Sequence, residues 1–184
     1  EEYKRIEQSI QQPKLSEKVY AITSYGAKTT ASAAQNQKAI NRTISLASKK
    51  GGKVVIPAGT WNTGAIELKS GVNLVIEEGA TLRFAFEPKL YPLVRTSWEG
   101  LACWNYSPCI YAYQAKDIAI TGKGTIDGGG NNDTWWQWNG NPRFGFKAGV
   151  TTESQKLGSR SKLLKQAEDG VAFDERKFGM GQGL

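Results

Sequence analysis

Hydrolysis of a glycosidic bond needs two carboxyl groups flanking the sugar, about 6.5–9.5 Å apart when configuration is inverted. The candidate acids here are Glu77, Glu78, Glu99, Asp117, Asp127 and Asp133. None forms an Asp-Asp, Asn-x-Asp or Gly-Asp-Asp cluster on a repeated strand. Glu77 and Glu78 precede Gly79 and read as a solvated turn, and Asp127 before Gly128 reads as a turn cap. Glu99, between Trp98 and Gly100, is the most distinctive acid. There is no histidine, and Cys103 and Cys109 are the only cysteines, so a Cys/His zinc site is excluded within this chain. No active site can be assembled from these residues, so no catalytic residue, metal or cofactor is assigned.

Tryptophans in loops are platforms for sugar rings, although such side chains more often turn inward as the loop's own core. Trp135, Trp136 and Trp138 are read first as packing residues on that ground. The substrate-binding candidates are Trp98, Glu99, Trp135 and Trp136.

The elements that must position them centre on residues 53–84, KVVIPAGTWNTGAIELKSGVNLVIEEGATLRF. Val54 and Ile56, Ile66 and Leu68, then Val72, Leu74 and Ile76 recur at every second position and are cut by glycines, the pattern of strands with one face buried. Val54-Val55-Ile56 returns twenty residues later as Leu74-Val75-Ile76, and Asn73–Leu82 returns forty-four residues later as Asp117–Ile126. A unit of about 20–25 residues made of strand and turn predicts a solenoid. Its inward columns would be Val54, Leu74 and Ile118, and Ile56, Ile76 and Ile120. A sandwich or barrel of hairpins is the competing architecture, but Asn-Gly and Asp-Gly turns are missing from 53–84.

The chain reads as a single domain, 1–184, with a first strand and turn over 19–30, a helix over 32–50, coils with a long insertion over 53–138, and a loop-rich tail with a short helix over 139–184. The helix carries a Ser32/Gln35 capping box, a face of Ile40, Ile44 and Ala47, and Gly51-Gly52 at its end. It is expected to cover the first coil. Ile6, Ile10 and Leu15 are candidate anchors for a polar N-terminal segment in which Pro13 stops any helix. Val19–Tyr25 reads as a strand, residues 85–108 as loop, and Ser161–Asp169 as a short helix.

The net charge of +7 suits nucleic acid, anionic lipid or an acidic polysaccharide, but no run of five or six basic residues supports a nucleic-acid arm. No stretch is apolar for long enough to span a membrane. Cys103 and Cys109 are read as free buried thiols rather than a disulfide.

ITSYGAK (22–28), GGKVVIPAGTW (51–61), TGAIELKSGVNLVIEEGATL (63–82), RTSWEG (95–100), NYSPCIYAY (105–113), DIAITGKGTIDGGG (117–130) and WWQW (135–138) together resemble the polygalacturonases of glycoside hydrolase family 28. The resemblance covers residues 20–138 closely and extends to the tail. It implies an all-β, right-handed parallel β-helix with an N-terminal capping helix. It also implies a secreted or periplasmic enzyme that hydrolyses galacturonosyl linkages of pectin by inversion, without a metal. The family's Asn-Thr-Asp, Asp-Asp, Gly-His-Gly and Arg-Ile-Lys motifs match no position here. The expectation is therefore an N-terminal portion of such an enzyme, truncated on the C-terminal side and inactive alone, with pectin or its oligosaccharides as partner. The alternative is a carbohydrate-binding or assembly module without catalysis. The open last coil is expected to favour self-association.

Overall fold

Apolar residues at every second position bury one side of a strand, and in the computed structural model this alternation yields short parallel strands packed through their aliphatic faces. The structure describes residues 1–11, 13–151, 153–154 and 157–181. The strands are β1 (Val19–Ala21), β2 (Gly52–Ile56), β3 (Gly59–Thr63), β4 (Ile66–Glu67), β5 (Val72–Ile76), β6 (Ala80–Phe84), β7 (Leu93–Trp98), β8 (Leu101–Tyr106), β9 (Ile110–Tyr111), β10 (Ala119–Gly122) and β11 (Thr125–Asp127). The helices are α1 (Glu2–Ser9), α2 (Ala33–Ala47) and α3 (Ser159–Glu168).

Three parallel sheets have the orders β1-β2-β5-β10, β3-β6-β11 and β4-β9. From β2 onward the chain visits them in rotation, so each strand lies on the one laid down a round earlier. Val54 faces Leu74 and Ile56 faces Ile76, as the twenty-residue spacing requires. On the adjoining sheet Trp61 faces Leu82 and Thr63 faces Phe84. Val54, Ile56, Leu74, Ile76, Leu82 and Phe84 are all buried, each contributing about 1.5–3 kcal/mol.

The third round departs from the expected columns. Ile120 faces Leu74 and Gly122 faces Ile76, while Ile118 precedes β10. Ile126 nevertheless faces Leu82. The corner is responsible: Lys123 and Gly124 alone separate Gly122 from Thr125, whereas residues 77–80 separate their partners Ile76 and Thr81. The short corner presses backbone onto the corner beneath. A Cβ on Gly122 would lie 1.9 Å from the Ile76 carbonyl oxygen, and one on Gly124 2.5 Å from that of Glu77. Only glycine permits that approach.

Helix α2 is capped by the Ser32/Gln35 box and buries Ile40, Ile44 and Ala47 against the first round. It ends at Ala47, and Gly51 beyond it has φ +73°. Its polar side chains satisfy backbone that has no strand to pair with on that side. Asn36 Nδ2 donates to the Lys28 and Asn62 carbonyls, both at 3.0 Å, and Asn36 Oδ1 accepts from Lys28 N at 3.0 Å. Gln37 Nε2 donates to Ala65 O at 2.8 Å and Leu90 O at 2.6 Å. Asn41 Oδ1 accepts from Glu67 N at 2.9 Å, so the helix covers the free edges of β3 and β4.

Four local expectations change. Only Val19–Ala21 is strand, and Ile22–Tyr25 tightens into a 3₁₀ turn that buries Ile22. Helix α1 buries no residue, so Ile6 and Ile10 are exposed rather than anchoring. Residues 85–108 contain an antiparallel hairpin, β7–β8, inserted between β6 and β9. Its two-residue turn places Glu99 (φ +47°) and Gly100 (φ +85°) in the left-handed region that such turns demand, and Glu at that position is not the usual sequence signal. The short helix begins at Ser159, two residues earlier than its apolar pattern suggests.

The tail returns along β8, where Trp104 N donates to Arg176 O at 2.8 Å and Phe178 N to Trp104 O at 2.9 Å. Cys103, Leu163 and Phe178 form a small core there. Both cysteines are free thiols. Residues 182–184 of the terminal FGMGQGL lie outside the described residues. Among the described residues no helix is long and apolar enough to cross a membrane.

Candidate functional site

Period-two alternation that buries Ile66 and Leu68 necessarily turns Glu67 and Lys69 outward. Glu67 pairs in register with Tyr111 of β9, and Leu68 N donates to Tyr111 O at 2.7 Å. The outer face of β4 and β9 thus gathers Glu67, Lys69, Tyr111 and Tyr113. The hairpin rises beside this face, and the two form a groove. Its two sections, of about 570 and 450 Å³, share Arg95, Tyr111 and Tyr113.

Arg95 is exposed on β7. Its guanidinium carbon lies 3.9 Å from the centre of the Phe173 ring, and Trp104 flanks the same ring at 5.7 Å. The stacked ring holds the guanidinium plane while its edge N–H groups face solvent or a ligand. Among the described residues Arg95 makes no ion pair, and neither does Lys69. Tyr111 Oη donates to Arg95 O at 2.8 Å, tying β9 to the hairpin. Burial pushes the Tyr111 phenol up, the Glu67 and Tyr113 charges add to this, and Arg95 opposes it.

Two unpaired cations, one carboxylate and four aromatic side chains suit an anionic ring: aromatic faces for its carbons, guanidinium and ammonium for its carboxylate. Among the described residues Glu67 is the only carboxylate lining either section, and no second acid of the kind glycoside hydrolysis requires stands with it there. Among the described residues no group of three or more His, Cys, Asp or Glu could hold a metal ion.

The four residues singled out in the sequence line neither section of this groove. Trp98 closes the hairpin opposite Leu101 and packs beside Cys103, Leu163 and Phe178, with its indole N–H buried and without a partner among the described residues. Glu99 is gripped through both oxygens by Arg160 of α3, at 3.1 and 3.0 Å from Nε. Trp135 meets Phe86, Tyr91 and Trp138 edge-on at 4.7, 5.0 and 5.1 Å. Trp136 is 51% exposed and lies against Phe144. Asp127 accepts from Gly129 N at 2.9 Å, the turn cap expected of it, and also pairs with Arg83. The Gly129 N–H and then Arg83 hold its carboxyl below the usual range.

The alternation in Ile66–Lys69 and Ile110–Tyr113 carried a signal for Glu67, Lys69, Tyr111 and Tyr113. Nothing local marks Arg95, whose partner Phe173 is seventy-eight residues away and reaches it through the tail's return along β8.

No family model matches the chain. Its fold is similar to that of a hyperthermoactive exopolygalacturonase from Thermotoga maritima, with TM-score 0.89 and 34% identity over 98% of this chain and 40% of that one. A family 28 exopolygalacturonase from Yersinia enterocolitica matches 61% of this chain and 21% of its own, with TM-score 0.55 and 30% identity. In sequence, an exo-poly-alpha-D-galacturonosidase of Dickeya chrysanthemi is 35% identical over 124 residues, covering 61% of this chain and 20% of that protein. The chain therefore resembles the family 28 polygalacturonases, and it spans about a fifth of the length of the curated relatives it matches.

Proposed function

We propose that this chain is the non-catalytic, substrate-holding part of a pectin-degrading glycoside hydrolase of the polygalacturonase type. Its rounds belong to a right-handed parallel β-helix that α2 covers at one end. The groove over β4 and β9 receives galacturonate units, with Arg95 and Lys69 meeting the uronate carboxylates and Tyr111 and Tyr113 meeting the ring faces. Inverting hydrolysis needs acids that this groove does not contain, so the chain alone binds without cleaving. The observation that carries this reading is Arg95, stacked on Phe173 and free of any ion pair beside an aromatic sheet face. The similarity to polygalacturonases supports the choice of sugar. A location outside the cell, where pectin lies, accompanies it.

Calorimetry with oligogalacturonides, alongside a reducing-end assay on polygalacturonate, tests this. The expected result is binding that weakens with added salt, with no release of reducing ends. Turnover by the chain alone would refute the non-catalytic assignment, and the absence of binding would refute the groove. A binding module with no catalysis anywhere in the parent protein is the second reading, favoured by the single carboxylate in the groove. Activity of the complete protein separates the two.

A further inference from the structure

Two further cavities neighbour the groove. At Ser107 it meets an aromatic pocket of about 220 Å³ that no charged side chain lines. Across α2 it meets one of the opposite character. Gln37, Asn41 and Ser45 of the helix line the groove, while Gln35, Lys38 and Arg42 line a cavity of about 470 Å³ on the adjoining stripe. Lys38 follows Gln37 and Arg42 follows Asn41, so each stands about 100° further round the helix. The ridge between the two cavities is α2 itself, about 10–12 Å across with its side chains.

Lys28, Lys38 and Arg42 surround this second cavity, all three exposed, and no carboxylate lines it. Among the described residues none of the three makes an ion pair. The charge of the chain is concentrated here. Of 24 basic residues and 17 acids, seven basic residues and no acid lie within 18–66, which leaves 17 of each in the remainder. The whole excess of +7 therefore belongs to the first round and the helix that covers it. Among the described residues only Lys53 of the seven is paired, with Glu17. A concave surface lined by one sign of charge concentrates ligands of the other.

The rest of the lining discriminates among polyanions. Thr30 and Gln35 offer a hydroxyl and an amide for sugar hydroxyls, and the half-buried Tyr25 offers a flat ring for sugar carbons. No large aliphatic side chain lines the cavity, so nothing there would enter a lipid layer. The cations ring one hollow and do not form the stripe that tracks a nucleic-acid backbone.

We propose that this cationic cavity is a second binding site for the acidic sugar chain, where Lys28, Lys38 and Arg42 meet uronate carboxylates of a chain that leaves the groove and crosses α2. The choice of sugar rests on the acidic-sugar reading of the groove; the preference for an anion rests on the cavity's own charges. Exposed cations hold a single carboxylate weakly in salt. A chain already engaged in the groove presents its next carboxylates at high effective concentration, so the second site grips long chains and adds little for short ones.

The test is calorimetry on the 184-residue chain with a short oligogalacturonide, enough to fill the groove alone, and with one several times longer. Each is titrated into the unaltered chain, into Arg95→Ala and into the double variant Lys38→Gln, Arg42→Gln. Glutamine is a good helix former and both positions are exposed, so the double variant keeps the fold. The long chain is expected to bind about tenfold more tightly than the short one, and the double variant to remove that advantage while leaving the short-chain affinity unchanged. Equal affinities for the two lengths, or an advantage that survives in the double variant, overturn the second site; the groove reading then stands if Arg95→Ala weakens the short oligomer. Binding of the long chain alone, lost in the double variant and kept in Arg95→Ala, upholds the second site and sinks the groove reading. A DNA duplex or an anionic lipid vesicle that binds as tightly as the long chain, and is released by the double variant, overturns the acidic sugar as the ligand.

Discussion

Gly122 stacks directly on Ile76, so closely that a Cβ at position 122 would sit 1.9 Å from the Ile76 carbonyl oxygen. Gly122 also has φ +107°, which an L side chain rarely adopts. Gly122→Ala therefore combines backbone strain with a clash against backbone and is expected to lower stability by about 3 kcal/mol or more. Gly100→Ala serves as its control. That residue has φ +85° but nothing within 4 Å of the built Cβ, so the strain alone should cost about 1–2 kcal/mol. Urea unfolding of both variants decides; equal losses would show that the close stacking is not the larger effect.

Asn36 is fully buried and satisfies three backbone groups on two segments. Asn36→Ala leaves Lys28 N and two carbonyls without their partner at part-buried positions, a loss of about 2–4 kcal/mol. Asn41→Ala, at a half-buried position, should cost less. A loss under about 1 kcal/mol for Asn36→Ala in a thermal or denaturant series would contradict the role of α2 as cover for the first round.

Arg95 and Phe173 should act together in ligand binding. Arg95→Ala is expected to weaken oligogalacturonide binding roughly tenfold, about 1.4 kcal/mol. Arg95→Lys keeps the charge but loses the planar stack, so its effect should be smaller yet measurable. Phe173→Leu, which removes the ring beneath the guanidinium, should fall between them and be non-additive with Arg95→Ala. Unchanged affinity in all three by calorimetry would remove the groove's central contact.

Burial, then hydrogen bonding to Glu153, pushes the Tyr106 phenol up to about 12. The unfolded chain ionises its tyrosines near pH 10, so this contribution to stability is complete below that pH and is lost as the pH rises toward about 12. Ionisation removes the proton that Tyr106 Oη donates to Glu153 and sets two anions side by side, which should loosen the tail there. Tyr106→Phe is expected to flatten the fall in melting temperature across that window. A fall as steep as that of the unaltered chain would contradict the assignment.

Ile120 and Ile126 are 46% and 44% exposed on β10 and β11, whose outer edges are unpaired among the described residues. Free strand edges with aliphatic side chains pair with other strands, and a second copy of this chain offers the same edges. Concentration-dependent association is therefore expected in light scattering, with Ile120→Lys reducing it. A strictly monomeric species at high concentration would count against this edge as an interface.

The first two rounds were legible because Val54, Ile56, Leu74 and Ile76 repeat with constant spacing, and stacking them buries each one. The third round was misaligned by two residues because corner length is set by how closely backbones approach, which Gly122 and Gly124 permit but do not announce. Of the three loop tryptophans read first as packing residues, Trp135 and Trp138 lie ring against ring while Trp136 is 51% exposed. The hairpin went unread because Glu99-Gly100 takes up a turn usually written with Asn or Asp.

Sequence alone determined the parallel stacking and the capped helix, since alternation, capping and repeat spacing are local properties of the chain, and its motifs alone carried the resemblance to pectin hydrolases. Only the tertiary structure decided where a ligand can sit. Arg95 on β7 meets Phe173 in the tail, and Ser107 joins a charged groove to an aromatic pocket. Contacts between segments so far apart depend on how an inserted hairpin and a returning tail pack together, and no pattern confined to either segment encodes that.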